Sequence, residues 1–156
     1  MLDAIGEIYR AQSAFSSGAH AGYRGQIGRN SAIPHALAGN LVFQAGDVLV
    51  TGASAPVWGY LSELERTMFV GEPSSQQERM VAHMIELQDI AFAARPVPRL
   101  GDHTEIRPGM VFTVEPGLYS PELGGFRHSD TVLVTEDGIE VLTYYPRDLA
   151  SLIIPV

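Results

Sequence analysis

The sequence predicts a single α+β domain with a mainly antiparallel sheet. Three observations point there: two stretches with the apolar spacing of helices, about six strand-like stretches, and a hairpin turn at Glu136-Asp137-Gly138. At 156 residues the chain suits one domain with its own core and is short for two, so residues 1–156 are expected to fold as one unit.

The elements follow in order. From Leu2 to Phe15, the residues Leu2, Ile5, Ile8 and Tyr9 fall at helical spacing despite Gly6. Gly18, Gly22, Gly25 and Gly28 then mark either a strand closely approached by another segment or a loop; with no lysine or helix start after them, they do not form a phosphate cradle. Gln44-Ala45-Gly46-Asp47 reads as a turn into an apolar strand from Asp47 to Ala53. Pro56 is expected to break the chain before a second strand from Val57 to Val70, ended by Gly71-Glu72-Pro73. Ser75 and Glu78 have capping-box spacing at the head of a helix reaching Ala94, with Val81, Met84, Ile85, Leu87, Ala91 and Ala94 on one side; Arg95-Pro96-Val97-Pro98 stops it. Met110 to Glu115 and Phe126 to Val134 alternate as strands do, and Ile139 to Tyr145 returns from the hairpin turn.

Composition narrows the chemistry. The absence of cysteine removes disulfides, thiolate nucleophiles and Cys-ligated metal. All 10 basic residues are arginine, so Schiff-base, pyridoxal-anchoring and P-loop lysines are excluded as well. A net charge of −8 without a basic patch argues against nucleic acid and anionic membranes as partners. No apolar run approaches the roughly 20 residues of a membrane span, and no secretory signal pattern is evident, which makes the cytoplasm the default expectation.

Three places put polar groups where a strand should be buried: Pro34-His35; the stretch Tyr60 to Thr67 with Glu63 and Glu65 on one face; and the pair Val114-Glu115 and Arg127-His128-Ser129-Asp130. Glu115 ends an apolar strand, so desolvation is expected to raise its proton affinity. Set against this, a same-face Glu pair is as readily a solvated edge, and His128 with Asp130 reads slightly better as an exposed face. His20, His83 and His103 read as solvated or structural.

Read together, these segments resemble the pita-bread hydrolases, the creatinase, aminopeptidase P and prolidase family. Gly28 to His35 is similar to the strand that delivers that family's histidine. Gly59-Tyr60-Leu61-Ser62-Glu63-Leu64-Glu65-Arg66-Thr67 resembles both its peptidase and its creatinase motifs, and Arg107 to Tyr119 resembles its most recognisable string. The resemblance runs from about Gly18 to about Asp148 and implies a curved, mainly antiparallel sheet with helices on one face. It implies hydrolysis of a C–N bond in a small molecule or at a peptide N-terminus.

Metal-using members hold two divalent ions, such as manganese, with two Asp, one His and two Glu. By position the first Asp falls near Val50 or Thr51, the second on Glu63, the first Glu on Glu115 and the last on Ser129, with no counterpart for the histidine. Two ligands of five survive, so no metal cofactor is expected. Metal-free creatinase is the nearer model: its resemblance implies His35 as the proton-transfer group and Glu65 and Glu115 as holding the substrate's cation, with Tyr60, Glu63, Arg127, His128 and Asp130 lining the substrate site. Only Arg95 to Ile106 stand where the family has a further helix and strand, which implies a deletion near 94–107, and the family's N-terminal domain has no counterpart. A sheet so truncated leaves an open edge, from which homo-oligomerisation is expected. A non-catalytic remnant serving as a binding or oligomerisation module is the alternative.

Overall fold

The computed structural model describes residues 22–37, 39–57, 60–94 and 104–156. The helix expected over Leu2–Phe15, together with His20, His103 and Arg95-Pro96-Val97-Pro98, lies outside them.

Five strands form the sheet's main path: β1 (Gly22–Ile27), β2 (Val48–Val57), β3 (Tyr60–Val70), β7 (Ser129–Val134) and β4 (Val111–Val114), in that spatial order. β8 (Ile139–Val141) adds to β7, and β9 (Ile153–Ile154) adds to β3 as the one parallel pairing among the described residues. β5 (Gly117–Ser120) and β6 (Gly124–Arg127) make a separate hairpin, and α1 spans Ser75–Ala94. No described helix is long and apolar enough to cross a membrane.

The helix packs by burying Val81 and Met84 against Val48, Phe69, Phe126 and Leu152. Burial of each such apolar side chain is worth roughly 1.5–3 kcal/mol of transfer free energy. The expected apolar stripe is only partly right. Gln88 is fully buried, whereas Leu87 is exposed, because the buried line follows the spacing 81, 84, 88. The cap also sits one residue earlier than expected: Gln77 N–H donates to the Ser74 hydroxyl at 3.3 Å, and the Ser74 N–H donates to the Gln77 side chain at 2.8 Å. Ser74 and Gln77, not Ser75 and Glu78, form the capping box.

Other boundaries also move. β2 continues through Pro56 and Val57, paired with Leu61 and Tyr60. The stretch Phe126–Val134 is two strands interrupted at His128, and the returning strand is Ile139–Val141 rather than Ile139–Tyr145.

His35 arrives on a turn, not on a strand. β1 gives way at Gly28 to a 3-10 turn over Gly28–Ala32. Buried Ser31 pins that turn, donating to the Gly28 carbonyl at 2.6 Å and accepting the Gly125 N–H at 3.0 Å. A Cβ at Gly125 would meet the Ser31 carbonyl oxygen at 1.9 Å, so only glycine lets the two backbones approach this closely. Gln26 closes the turn by donating to the Ile33 carbonyl at 2.5 Å.

Candidate functional site

Directly opposed residues of antiparallel strands share a face. The register therefore sets Arg24, Gly52, Glu65 and Ser129 in one row across β1, β2, β3 and β7, with Ser54 and Glu63 in the next. Thr131 ties Glu63 into place: its hydroxyl accepts the Glu63 N–H at 2.8 Å and donates to the Glu63 carbonyl at 3.0 Å. Glu115 follows β4 beside β7 and accepts the Thr113 hydroxyl at 2.5 Å. Glu63, Glu65 and Glu115 each offer a carboxylate oxygen within 4.8 Å of those of the other two.

Three carboxylates this close need counter-charge, since at an effective dielectric constant of about 20 each ionised pair would repel by roughly 3.5 kcal/mol or more. Arg127 meets Glu65 through two contacts, Nη2 donating to Oε1 at 2.7 Å and Nε lying 2.5 Å from Oε2, and Nη1 donates to the Tyr119 hydroxyl at 3.1 Å. Both side chains of the pair are buried. Burial opposes the Arg127 charge, but the hydrogen bond and attraction to Glu65, with help from Tyr119, hold its proton affinity above the ordinary arginine value.

The desolvated acid is Glu63 rather than Glu115, which is exposed. Burial chiefly, then the charges of Glu115 and Glu65, raise the Glu63 pKa above the ordinary glutamate value, while Arg24 and Arg127 pull it back. The native state thus binds a proton at Glu63 in a window where the unfolded chain has lost it. Stability declines as pH rises through that window and does not recover above it. Glu63→Gln is expected to abolish this part of the decline, gaining on the wild type at neutral pH; parallel urea-unfolding midpoints for the two proteins across the acid-to-neutral range would refute it.

The remaining expected site residues distribute differently. Alternation along β3 puts Tyr60 on the face opposite Glu63 and Glu65, 72% exposed. Asp130 also turns to that other face: it is buried and satisfied by Arg66 Nη2 at 2.9 Å, Gln88 Nε2 at 2.9 Å and the Thr143 hydroxyl at 2.9 Å. His128 is completely buried, its ring nitrogens have no hydrogen-bond partner among the described residues, and burial with the charges of Arg66 and Arg147 lowers its pKa to about 3. The exposed-face reading of His128 and Asp130 is therefore wrong. His83 is exposed on α1.

His35 is separate from the acids but linked to them. Its Nδ1 lies 3.1 Å from Arg24 Nη1, and both residues line a cavity of about 430 Å³ with Tyr23, Gln26 and Leu37. Arg24 is also a counter-charge felt by Glu63. Arg24 and Gly52 carried no signal in the sequence that tied them to the acids. Strand pairing supplies it, placing a glycine between two charged residues of one row.

A binuclear metal set does not fit these residues. Val50 is buried, and Thr51 turns away to donate to the Tyr23 hydroxyl at 2.8 Å. The residue facing Glu65 is Gly52, where a Cβ would meet Glu65 Cγ at 2.0 Å, so the Glu65 side chain fills the space a ligand there would need. Ser129 provides a buried hydroxyl in place of a carboxylate, and Arg127 already engages both Glu65 oxygens.

Comparison with known proteins agrees with this architecture. The Xaa-Pro dipeptidase of Pyrococcus furiosus is 32% identical over an alignment of 163 residues that takes in 78% of this chain and 47% of that protein. Among solved structures, an Xaa-Pro dipeptidase from Bacillus anthracis superposes with a TM-score of 0.84 at 25% identity, covering 98% of this chain and 54% of the other. The prolidase from Pyrococcus horikoshii gives 0.85 at 25% identity, covering 95% and 55%. The chain thus spans about half the length of the relatives it matches. The model of metallopeptidase family M24 matches residues 7–102 and 95–136. With its mostly antiparallel sheet and packed helix, the chain belongs to that family and carries its pita-bread fold.

Proposed function

We propose that this chain is a hydrolase of the creatinase and Xaa-Pro aminopeptidase type, cleaving a C–N bond in a small substrate or at a peptide N-terminus without a binuclear metal site. The observation that carries the reading is the gathering of Glu63, Glu65 and Glu115 on one sheet face, with His35 joined to that face through Arg24. In this reading Glu63 and Glu115 receive the substrate's ammonium or guanidinium group through charge-assisted hydrogen bonds. Glu65, locked by Arg127, orients that group and fixes the floor of the site, and His35 brings its imidazole to the scissile bond.

Relatives named as Xaa-Pro dipeptidases support a peptide or dipeptide substrate. The assay is turnover of Xaa-Pro dipeptides and of creatine-like guanidino compounds by the wild type and by His35→Ala. Loss of at least about 100-fold in kcat/KM is expected for the variant, the scale of a lost acid–base or polarising group. Equal rates in the two proteins would remove His35 from the reaction.

The second reading is a non-catalytic remnant acting as a binding or oligomerisation module. It is favoured by the interrupted family match, whose two stretches overlap at residues 95–102, where the expected deletion lies, and by the half-length coverage of relatives. Large exposed apolar residues such as Leu61 and Tyr144 suit self-association. Absence of turnover on both substrate classes, with a dimer or larger species in sedimentation, would favour it.

A further inference from the structure

We infer that Arg24 is a positioning residue that fixes His35 as the neutral tautomer protonated at Nε2, so that this imidazole enters the site as a hydrogen-bond donor rather than as a base.

A guanidinium has donors only, so the 3.1 Å contact between Arg24 Nη1 and His35 Nδ1 requires a lone pair on Nδ1. The proton of the neutral ring then resides on Nε2. That nitrogen can accept no further proton, and the one able to do so is held by a cation. A hydrogen on Nδ1 would break this hydrogen bond.

The backbone fixes where the exposed His35 side chain leaves the turn. His35 has φ of 58°, making it the one non-glycine with positive φ among the described residues, in a region that histidine enters more readily than most side chains do. The turn before it is tied down by Ser31 and Gln26, which leaves the strained residue little room to relax. Arg24 is anchored in turn. It stands in register with Gly52 and, beyond it, Glu65, two strand spacings or roughly 10 Å away, with no side chain between them. Its charge is one of those that favour the ionised form of Glu63. Arg24 therefore connects imidazole and acids, with its positive field toward the carboxylates and its N–H toward Nδ1.

The consequence, which rests on the proposed hydrolysis, is a division of labour. His35 Nε2–H would polarise the carbonyl or carry a hydrogen bond to the leaving nitrogen. Removal of a proton from water would fall to a carboxylate rather than to the imidazole.

The test needs neither substrate nor turnover. A long-range proton–nitrogen correlation spectrum of uniformly nitrogen-15-labelled protein distinguishes the two neutral tautomers, and His35→Gln identifies the His35 signals. At a pH where imidazole is neutral, the wild type should show the pattern of a single Nε2–H tautomer with Nδ1 as acceptor. Arg24→Lys, which keeps a donor, should retain it, and Arg24→Ala should give the averaged pattern of a free imidazole. A wild-type spectrum showing Nδ1–H, or an averaged pattern indifferent to Arg24→Ala, would overturn the inference. A wild-type spectrum showing Nδ1–H overturns the inference even where a variant folds poorly, and Arg24→Lys serves as the folded control for Arg24→Ala. A locked Nε2–H tautomer in a protein that turns over nothing would leave the tautomer assignment standing and the hydrolase reading refuted.

Discussion

Arg127→Met should destabilise the protein by about 3–5 kcal/mol, the cost of leaving a buried charge without its partner. The reasoning starts from the strands: β6 delivers Arg127 beneath β3, its N–H donating to the Thr67 hydroxyl at 2.8 Å, and its guanidinium reaches both oxygens of a Glu65 that is 1% exposed. Without the arginine, the Glu65 carboxylate faces Glu63 and Glu115 unscreened and must either repel them or take up a proton. Its partner variant Glu65→Met should cost a similar amount, whereas the double variant should recover much of the loss, because two apolar side chains leave no buried charge behind. Chemical denaturation of the four proteins reads this directly. Strictly additive losses in the double variant would contradict the assignment of Arg127 as the internal counter-charge.

Asp130→Ala is the other substitution with a large expected effect, again about 3–5 kcal/mol. In a protein of this size that corresponds to a fall in Tm of roughly 6–20 °C. Asp130 is the hub of a buried network joining β3, β7, α1 and the segment after β8: it accepts from Arg66, Gln88 and Thr143 at once. Arg66 donates further to the carbonyls of Glu65, Ser129 and Tyr145, so its guanidinium stays buried after the carboxylate has gone. Thermal unfolding provides the measurement, and a fall of under about 3 °C would show that Arg66 is solvated rather than held by this network.

Much of this arrangement is legible in the sequence, and the misses share a cause. Alternation along Tyr60–Thr67 identified Glu63 and Glu65 as a same-face pair because strand periodicity is a local property. The turn at Gln44–Asp47, the helix ending at Ala94 and the hairpin turn at 136–138 were equally local. Roles that depend on which strand lies alongside were not legible. Asp130 was expected to line the substrate site and instead anchors the opposite face, because its neighbours Arg66 and Gln88 come from elements 64 and 42 residues away. Arg24 carries no local signal for the same reason: its significance comes from the pairing of β1 with β2, which sets it opposite a glycine. The exposed state of Glu115 was missed because an apolar strand before it says nothing of what lies beyond the strand's end. Pro56 misled because a proline ends a strand only where its missing N–H is needed.

In the proposed reading arginine, rather than a pair of divalent ions, balances the acidic face of this sheet. Calorimetric titration of manganese(II) into metal-free protein tests it most directly. The donor set predicts no pair of tightly bound ions, since Gly52 and Ser129 offer no carboxylate and Glu65 is committed to Arg127. Two ions bound tightly per chain would contradict it.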